Sequence, residues 1–245
     1  MKKEILFLGS VLVLFSLFSC KKENPDFIVK DELNGDGTFV YEGRTYTYKR
    51  IMGEVAWMIE NLAYLPSVSP SSAISKTIPT YYVYGYEGSS VIAAKATENY
   101  KKYGVLYNLE AAKTACPPGW HLPTEREWRL LLLWAFGVDL DYVNLPWLYG
   151  WVNGDAMARY LKSTTGWLEN GNGDNSIDFT AIPAGALMPG NGFRGLGFSA
   201  DFWTSTTDPL NWAWRWVLFN YDDFLYHTIE SPDHGYSVRC IEDWE

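Results

Sequence analysis

The chain holds little that offers itself to catalysis. Histidine is scarce, and His121, His227 and His234 have neither the HxH nor the HExxH spacing of a zinc site. No GxSxG elbow, phosphate loop or dinucleotide fingerprint occurs, which removes the readable signatures of hydrolases and nucleotide enzymes. Cations are few: 20 Lys and Arg stand against 29 Asp and Glu, with a net charge of −9 and no long basic run. Nucleic acid, which needs clustered cations, is thereby excluded as a partner. There is no internal repeat, and cysteine occurs three times without a CxxC pair. What remains is the composition of an ordinary folded chain, 47% hydrophobic and 20% charged, which excludes a disordered tail.

The N-terminus is organised differently from the rest. Met1-Lys-Lys-Glu is followed by an apolar stretch, Ile5 to Phe18, of about 14 residues. A membrane-spanning helix needs roughly 20, so this segment reads as a signal peptide rather than a permanent anchor. Leu17-Phe-Ser-Cys20 resembles the bacterial lipobox, whose cysteine thiol accepts a diacylglyceryl group. The expectation is a signal peptide over 1–19, lipidation of Cys20 and a polar tether to residue 37. The alternative is an ordinary secretory signal with a chance cysteine. Two or three acyl chains hold a protein at the bilayer where one does not. Lys21 in place of Asp points to the outer membrane, with exposure at the cell surface left open.

Once Cys20 is set aside, Cys116 and Cys240 remain. In an oxidising compartment such a pair reads as one disulfide, closing a loop of about 125 residues. The chain-entropy model assigns such a bridge roughly 5 kcal/mol. A two-cysteine metal or redox site is the alternative. Aromatics are abundant, with 12 Trp, 17 Tyr and 12 Phe. They suit a core built from rings or a surface on which sugars stack.

Local patterns place the elements. Thr38 to Arg50 reads as two strands around Glu42-Gly43, and Glu54 to Leu62 as a third. Pro66 to Thr80 is a Ser- and Pro-rich loop, followed by a short aromatic strand at Tyr81 to Tyr86. Asn108 can cap a helix over 109–115. Thr124-Glu-Arg-Glu127 has the form of a capping box, opening a helix whose Trp128, Leu131, Leu132 and Ala135 share a face. A further helix is expected over 155–161. The run 170–175 is turn chemistry. Phe202 to Ser205, Trp212 to Phe219 and Tyr236 to Ile241 read as closing strands.

Tyr103-Gly-Val-Leu-Tyr-Asn-Leu-Glu-Ala-Ala and Ala115-Cys-Pro-Pro-Gly-Trp-His-Leu-Pro-Thr-Glu-Arg-Glu-Trp resemble the Fibrobacter succinogenes major paralogous domain, a family abundant in lipoproteins of Bacteroidetes. Companions follow in order: Trp57-Met-Ile-Glu-Asn-Leu, Asn170-Gly-Asn-Gly, Ala181-Ile-Pro-Ala-Gly, Phe202-Trp-Thr-Ser-Thr and Gly235-Tyr-Ser-Val-Arg-Cys. The resemblance spans about 37–242, so one domain is expected over 38–245. It implies an α+β, C-type-lectin-like fold: two helices packed on a twisted antiparallel sheet, with a long loop-rich region and neighbouring termini. It also implies the Cys116–Cys240 bridge. His121-Leu-Pro-Thr-Glu-Arg-Glu-Trp is similar to formylglycine-generating enzymes, which share that fold but rely on an active cysteine pair. Leu109 stands where many relatives carry Trp.

Candidate sites are modest. Asn170, Asn172, Asp174 and Asp178 form the nearest oxygen cluster for calcium, without the bidentate Glu spacing of an EF-hand loop. A glycine-rich turn is the competing reading. Trp147, Tyr149 and Trp151 alternate in an atypical middle region and are the candidate ligand-binding aromatics. Trp212, Trp214 and Trp216 also alternate, as core or as platform. His121 reads as a structural hydrogen-bonder. Asp222-Asp223, if on a strand, point to opposite faces. The expectation is a non-catalytic outer-membrane binding lipoprotein, its partner a glycan or an envelope protein. A purely structural surface component is the rival, and a sulfatase-modifying-type enzyme the third reading.

Overall fold

The computed structural model describes residues 35–51, 55–136 and 157–244 in full, and the backbone of 27–31 and 150–152. In chain order its strands and helices are β1 (Phe27–Asp31), β2 (Gly37–Tyr41), β3 (Arg44–Lys49), β4 (Trp57–Met58), β5 (Tyr81–Tyr82), α1 (Val91–Ala96), α2 (Glu98–Tyr103), β6 (Leu106–Tyr107), α3 (Leu109–Ala115) and β7 (Trp120–His121). They continue with α4 (Glu125–Phe136), β8 (Gly150–Val152), α5 (Met157–Leu161), β9 (Ala186–Met188), β10 (Gly192–Arg194), β11 (Ser199–Thr207), β12 (Ala213–Phe219), β13 (Leu225–Glu230) and β14 (Ile241–Glu242). The fold is mixed α and β. A six-stranded sheet runs β1-β2-β3-β4-β14-β7 and a four-stranded sheet β11-β12-β13-β8, every ladder antiparallel.

Local chemistry explains several elements. Glu42 and Gly43 both have positive φ, 49° and 73°, as a primed hairpin turn requires. Alternation on β2 turns Phe39 inward, where it stacks near Tyr46 and Trp120. Asn108 caps α3 by accepting from the Ala111 N–H at 3.0 Å, and its amide nitrogen donates to the Ser75 and Ile78 carbonyls, both at 2.8 Å. One buried side chain thus starts a helix and pins the 66–80 loop. At α4 the Thr124 hydroxyl accepts from the Glu127 N–H at 3.1 Å, while Glu127 accepts from the Thr124 N–H at 2.7 Å. This reciprocal pair is the capping box the sequence spells.

Other elements differ from the sequence reading. The six-residue helices α1 and α2 were not expected. Ser90 and Thr97 cap them, but they bury only Ala94 and Tyr103, so they carry almost no periodic signal. β1 lies inside the stretch read as tether. The segments 55–62 and 236–241 run beside each other, through Met58 N–H to Cys240 O and Leu62 N–H to Val238 O, with little regular ladder. Cys116, at the end of α3, is bridged to Cys240, with Cα atoms 5.9 Å apart.

Besides a small cluster of Tyr82, Leu106 and Leu187, two large buried clusters fill the interior. One gathers Phe39, Tyr46, Tyr107, Val238 and Cys240 beneath α3. The other gathers Trp57, Trp128, Phe179, Phe202 and Trp216 beneath α4. Arg239 lies between them, fully buried. Its guanidinium donates to Asn61 Oδ1, the Met58 and Phe179 carbonyls and the Thr180 carbonyl, and it rides over the Phe179 ring at 4.9 Å. Desolvation pulls its pKa down to about 9, which leaves it charged at neutral pH.

Candidate functional site

At one end of the four-stranded sheet, three pieces of chain enclose an open cleft of about 370 Å³. They are the 168–174 loop, the end of α5 and the β12–β13 connection. The loop can lie there because it carries glycine. A Cβ on Gly171 would sit 2.4 Å from the Asn220 carbonyl oxygen, and one on Gly173 would sit 2.1 Å from that of Arg159. Glu169 and Asn170 turn the chain with positive φ, 51° and 62°.

The lining is polar. Asn220 donates to Glu169 Oε2 at 3.3 Å and holds that carboxylate over the opening. Asp222 accepts from the Tyr226 hydroxyl and, at 3.1 Å, from the Phe224 N–H. Behind the wall, Lys162 is buried, with Nζ 2.5 Å from the Asp222 carbonyl and 3.3 Å from Asp223. Burial pulls its pKa down, and the two aspartates oppose that shift. Tyr221 stands at the rim, 67% exposed, its ring stacked on Phe219 at 5.0 Å. Asp222 and Asp223 occupy a connection, not a strand, so strand alternation does not separate them and both reach the cleft.

The four residues read as a calcium cluster do not converge. Asn170 and Asn172 line the cleft. The Asn172 oxygen accepts from the Trp167 N–H at 3.0 Å. Asp174 is taken by Arg159 at 3.0 Å and by the Ser176 N–H at 3.1 Å. Asp178 lies 3.8 Å from Lys49. Among the described residues no group of three or more His, Cys, Asp or Glu is placed to hold a metal ion.

Trp147 and Tyr149 lie outside the described residues, as does Cys20. The backbone of Trp151 pairs with Tyr226 on the edge of the sheet that carries the cleft. The 212–216 tryptophans run from inside to outside. Trp216 is buried, Trp214 stacks on His227 at 4.1 Å, and Trp212 is 37% exposed. His121 bridges Glu127 at 2.9 Å and Asp243 at 2.7 Å. The Glu127 bond chiefly raises its pKa. Burial alone would lift the Glu127 carboxyl, but bonds from His121 and Thr124 outweigh it and hold the pKa at about 2.

Missed by the sequence reading were Tyr221, Asn220 and Glu169. The glycine loop read as turn chemistry borders this cleft. The family profile described as Fibrobacter succinogenes major domain matches residues 51–242. The chain belongs to the Fibrobacter succinogenes major domain family. No curated protein and no solved structure matches it. In this member the family's Gly-Tyr-Ser-Val-Arg-Cys run supplies both the Arg239 junction and Cys240 of the bridge.

Proposed function

We propose that this protein is a lipid-anchored, non-catalytic binding module of the outer membrane whose ligand is a glycan. The observation that carries this reading is the open polar cleft with an aromatic ring at its rim, a combination that suits hydroxyl-rich ligands. The lipobox at Cys20 supports an envelope address. Against a formylglycine-generating type of chemistry stands the bridge, which leaves neither Cys116 nor Cys240 as a thiol. The end-to-middle bridge and the contact between the N-terminal hairpin sheet and β14 favour a C-type-lectin-like fold. A structural assembly role is the second reading. It is favoured by Trp134 and Trp244, exposed beside a shallow apolar groove over Trp57 and Ile241.

The full chain, extracted from membranes in detergent and applied to a glycan array, should retain a defined subset of glycans. Silence across the array would overturn the glycan reading. Labelled palmitate should enter the wild-type chain and not the Cys20→Ser variant. Equal labelling of both would remove the anchor.

A further inference from the structure

Holding the ligand to be a glycan, as proposed above, we infer that it is an uncharged saccharide, bound without calcium, with Tyr221 as the stacking platform and Asn172 and Glu169 as the hydroxyl readers. The inference of charge follows from the lining. Glu169, Asp222 and Asp223 place three carboxylates at the cleft. The cations there are outnumbered: Arg159 already shares its charge with Asp174 through Nε, and Lys162 is held to the Asp222 carbonyl and Asp223 from behind the wall. A uronate or sialate would bring a fourth negative charge against the three carboxylates, with Arg159 the one cation among the described lining residues to offset it.

Hydroxyl recognition follows from what the cleft leaves unused. A sugar hydroxyl both donates and accepts. The Asn172 oxygen is occupied by the Trp167 N–H, which fixes the amide and leaves its NH₂ as a donor. Glu169 uses one oxygen on Asn220 and keeps the other as an acceptor. One fixed donor and one fixed acceptor therefore share the cleft, already oriented before a ligand arrives. Tyr221 has one ring face against Phe219 and the ring is 67% exposed, so its other face is offered to the apolar side of a sugar ring. The volume, about 370 Å³, falls within the roughly 300–1,000 Å³ of small-ligand sites.

Calcium would find few unshared oxygens in this geometry. The ion takes 6–8 oxygens at about 2.3–2.6 Å. Both Asp174 oxygens, the Asn172 oxygen and both Asp222 oxygens already accept protein hydrogen bonds.

The test is calorimetric titration of the full chain in detergent with two sets of probes: neutral oligomers of glucose, galactose, mannose, xylose and N-acetylglucosamine, and uronate or sialyl oligosaccharides. Neutral probes should bind equally with calcium and with a chelator, and acidic probes at least about tenfold more weakly. Tyr221→Ala should weaken neutral binding about tenfold, the loss of one ring-stacking contact. Asn172→Asp keeps the acceptor for Trp167 and removes the donor, so it too should weaken binding several-fold. Both variants should melt with wild type. Preference for acidic probes, loss of binding in chelator, or unchanged affinity in both variants would overturn this site while leaving glycan binding intact. No binding by any probe would overturn the glycan reading itself.

Discussion

At Arg239 the chain brings one long charged side chain into the interior and lets it reach backbone oxygens of two separate segments, at Met58 and at Phe179-Thr180. Around Gly171 and Gly173 the opposite is done: side chains are withheld, and the backbone itself closes on its neighbours. Both arrangements hold polar chain against packed structure, but with different remainders. At the junction the buried guanidinium spends four hydrogen bonds on protein oxygens, away from any open cleft. At the loop the backbone is satisfied by close approach, and side chains such as Glu169, Asn170 and Asn172 are turned into an open cleft with bonding capacity to spare. The first is framework and the second is the proposed site, and we expect each to break without the other.

The largest effect is expected at the junction. Arg239→Met would fill the space but strand the acceptors Asn61 Oδ1, Phe179 O and Thr180 O. We expect a loss of about 3–5 kcal/mol, read as a fall in melting temperature of roughly 10 °C. Arg239→Lys should fall nearly as far, because one ammonium cannot span the same oxygens. A variant melting with wild type would show that the two clusters hold without this link.

Next is the bridge. Replacing Cys116 and Cys240 together by Ser should cost about 2–5 kcal/mol, and reduction of the wild type should reproduce that loss. The loop residues should move stability less. Gly173→Ala drives a Cβ against the Arg159 carbonyl, and we expect about 1–3 kcal/mol. Faster amide exchange should be confined to the loop and α5. Exchange rising equally throughout the domain would place the loop in the framework after all.

The contrast also explains what the sequence could say. The α3 cap, the capping box at Thr124 and the 42–43 turn are local, so their residues sit within a few positions of what they bond. The bridge was legible because only two cysteines were left to pair. The cleft was half legible. Asn170-Gly-Asn-Gly announced a tight turn, but its partner Asn220 is some fifty residues away, and nothing near Tyr221 signals that its ring borders the same opening. Helices α1 and α2 escaped because each is a single capped turn and a half with one buried residue. For the oxygen cluster, alternation along the chain says nothing of which oxygens already accept from Trp167, Arg159 and Ser176.

The smallest effect is expected at the framework's edge, where His121 ties β7 to α4 and to the C-terminal segment. Glu127 Oε1 receives both His121 and the Trp244 indole N–H, at 2.9 and 3.1 Å. The folded His121 pKa is raised, so its contribution is complete below the unfolded value near 6.5 and fades as pH climbs through the folded one. The folded Glu127 pKa is lowered to about 2, so its contribution is complete above its unfolded value of 4.5 and fades as pH falls toward 2. The two overlap between pH 4.5 and about 6.5. His121→Gln should therefore melt furthest below wild type in that window, by about 0.5–1 kcal/mol after allowance for solvent screening of the half-exposed ring. The gap should narrow on either side. A difference that stays flat from pH 4 to 9 would mean the ring serves as a neutral hydrogen-bonder, and that this edge, unlike Arg239, holds no charge in its bonding.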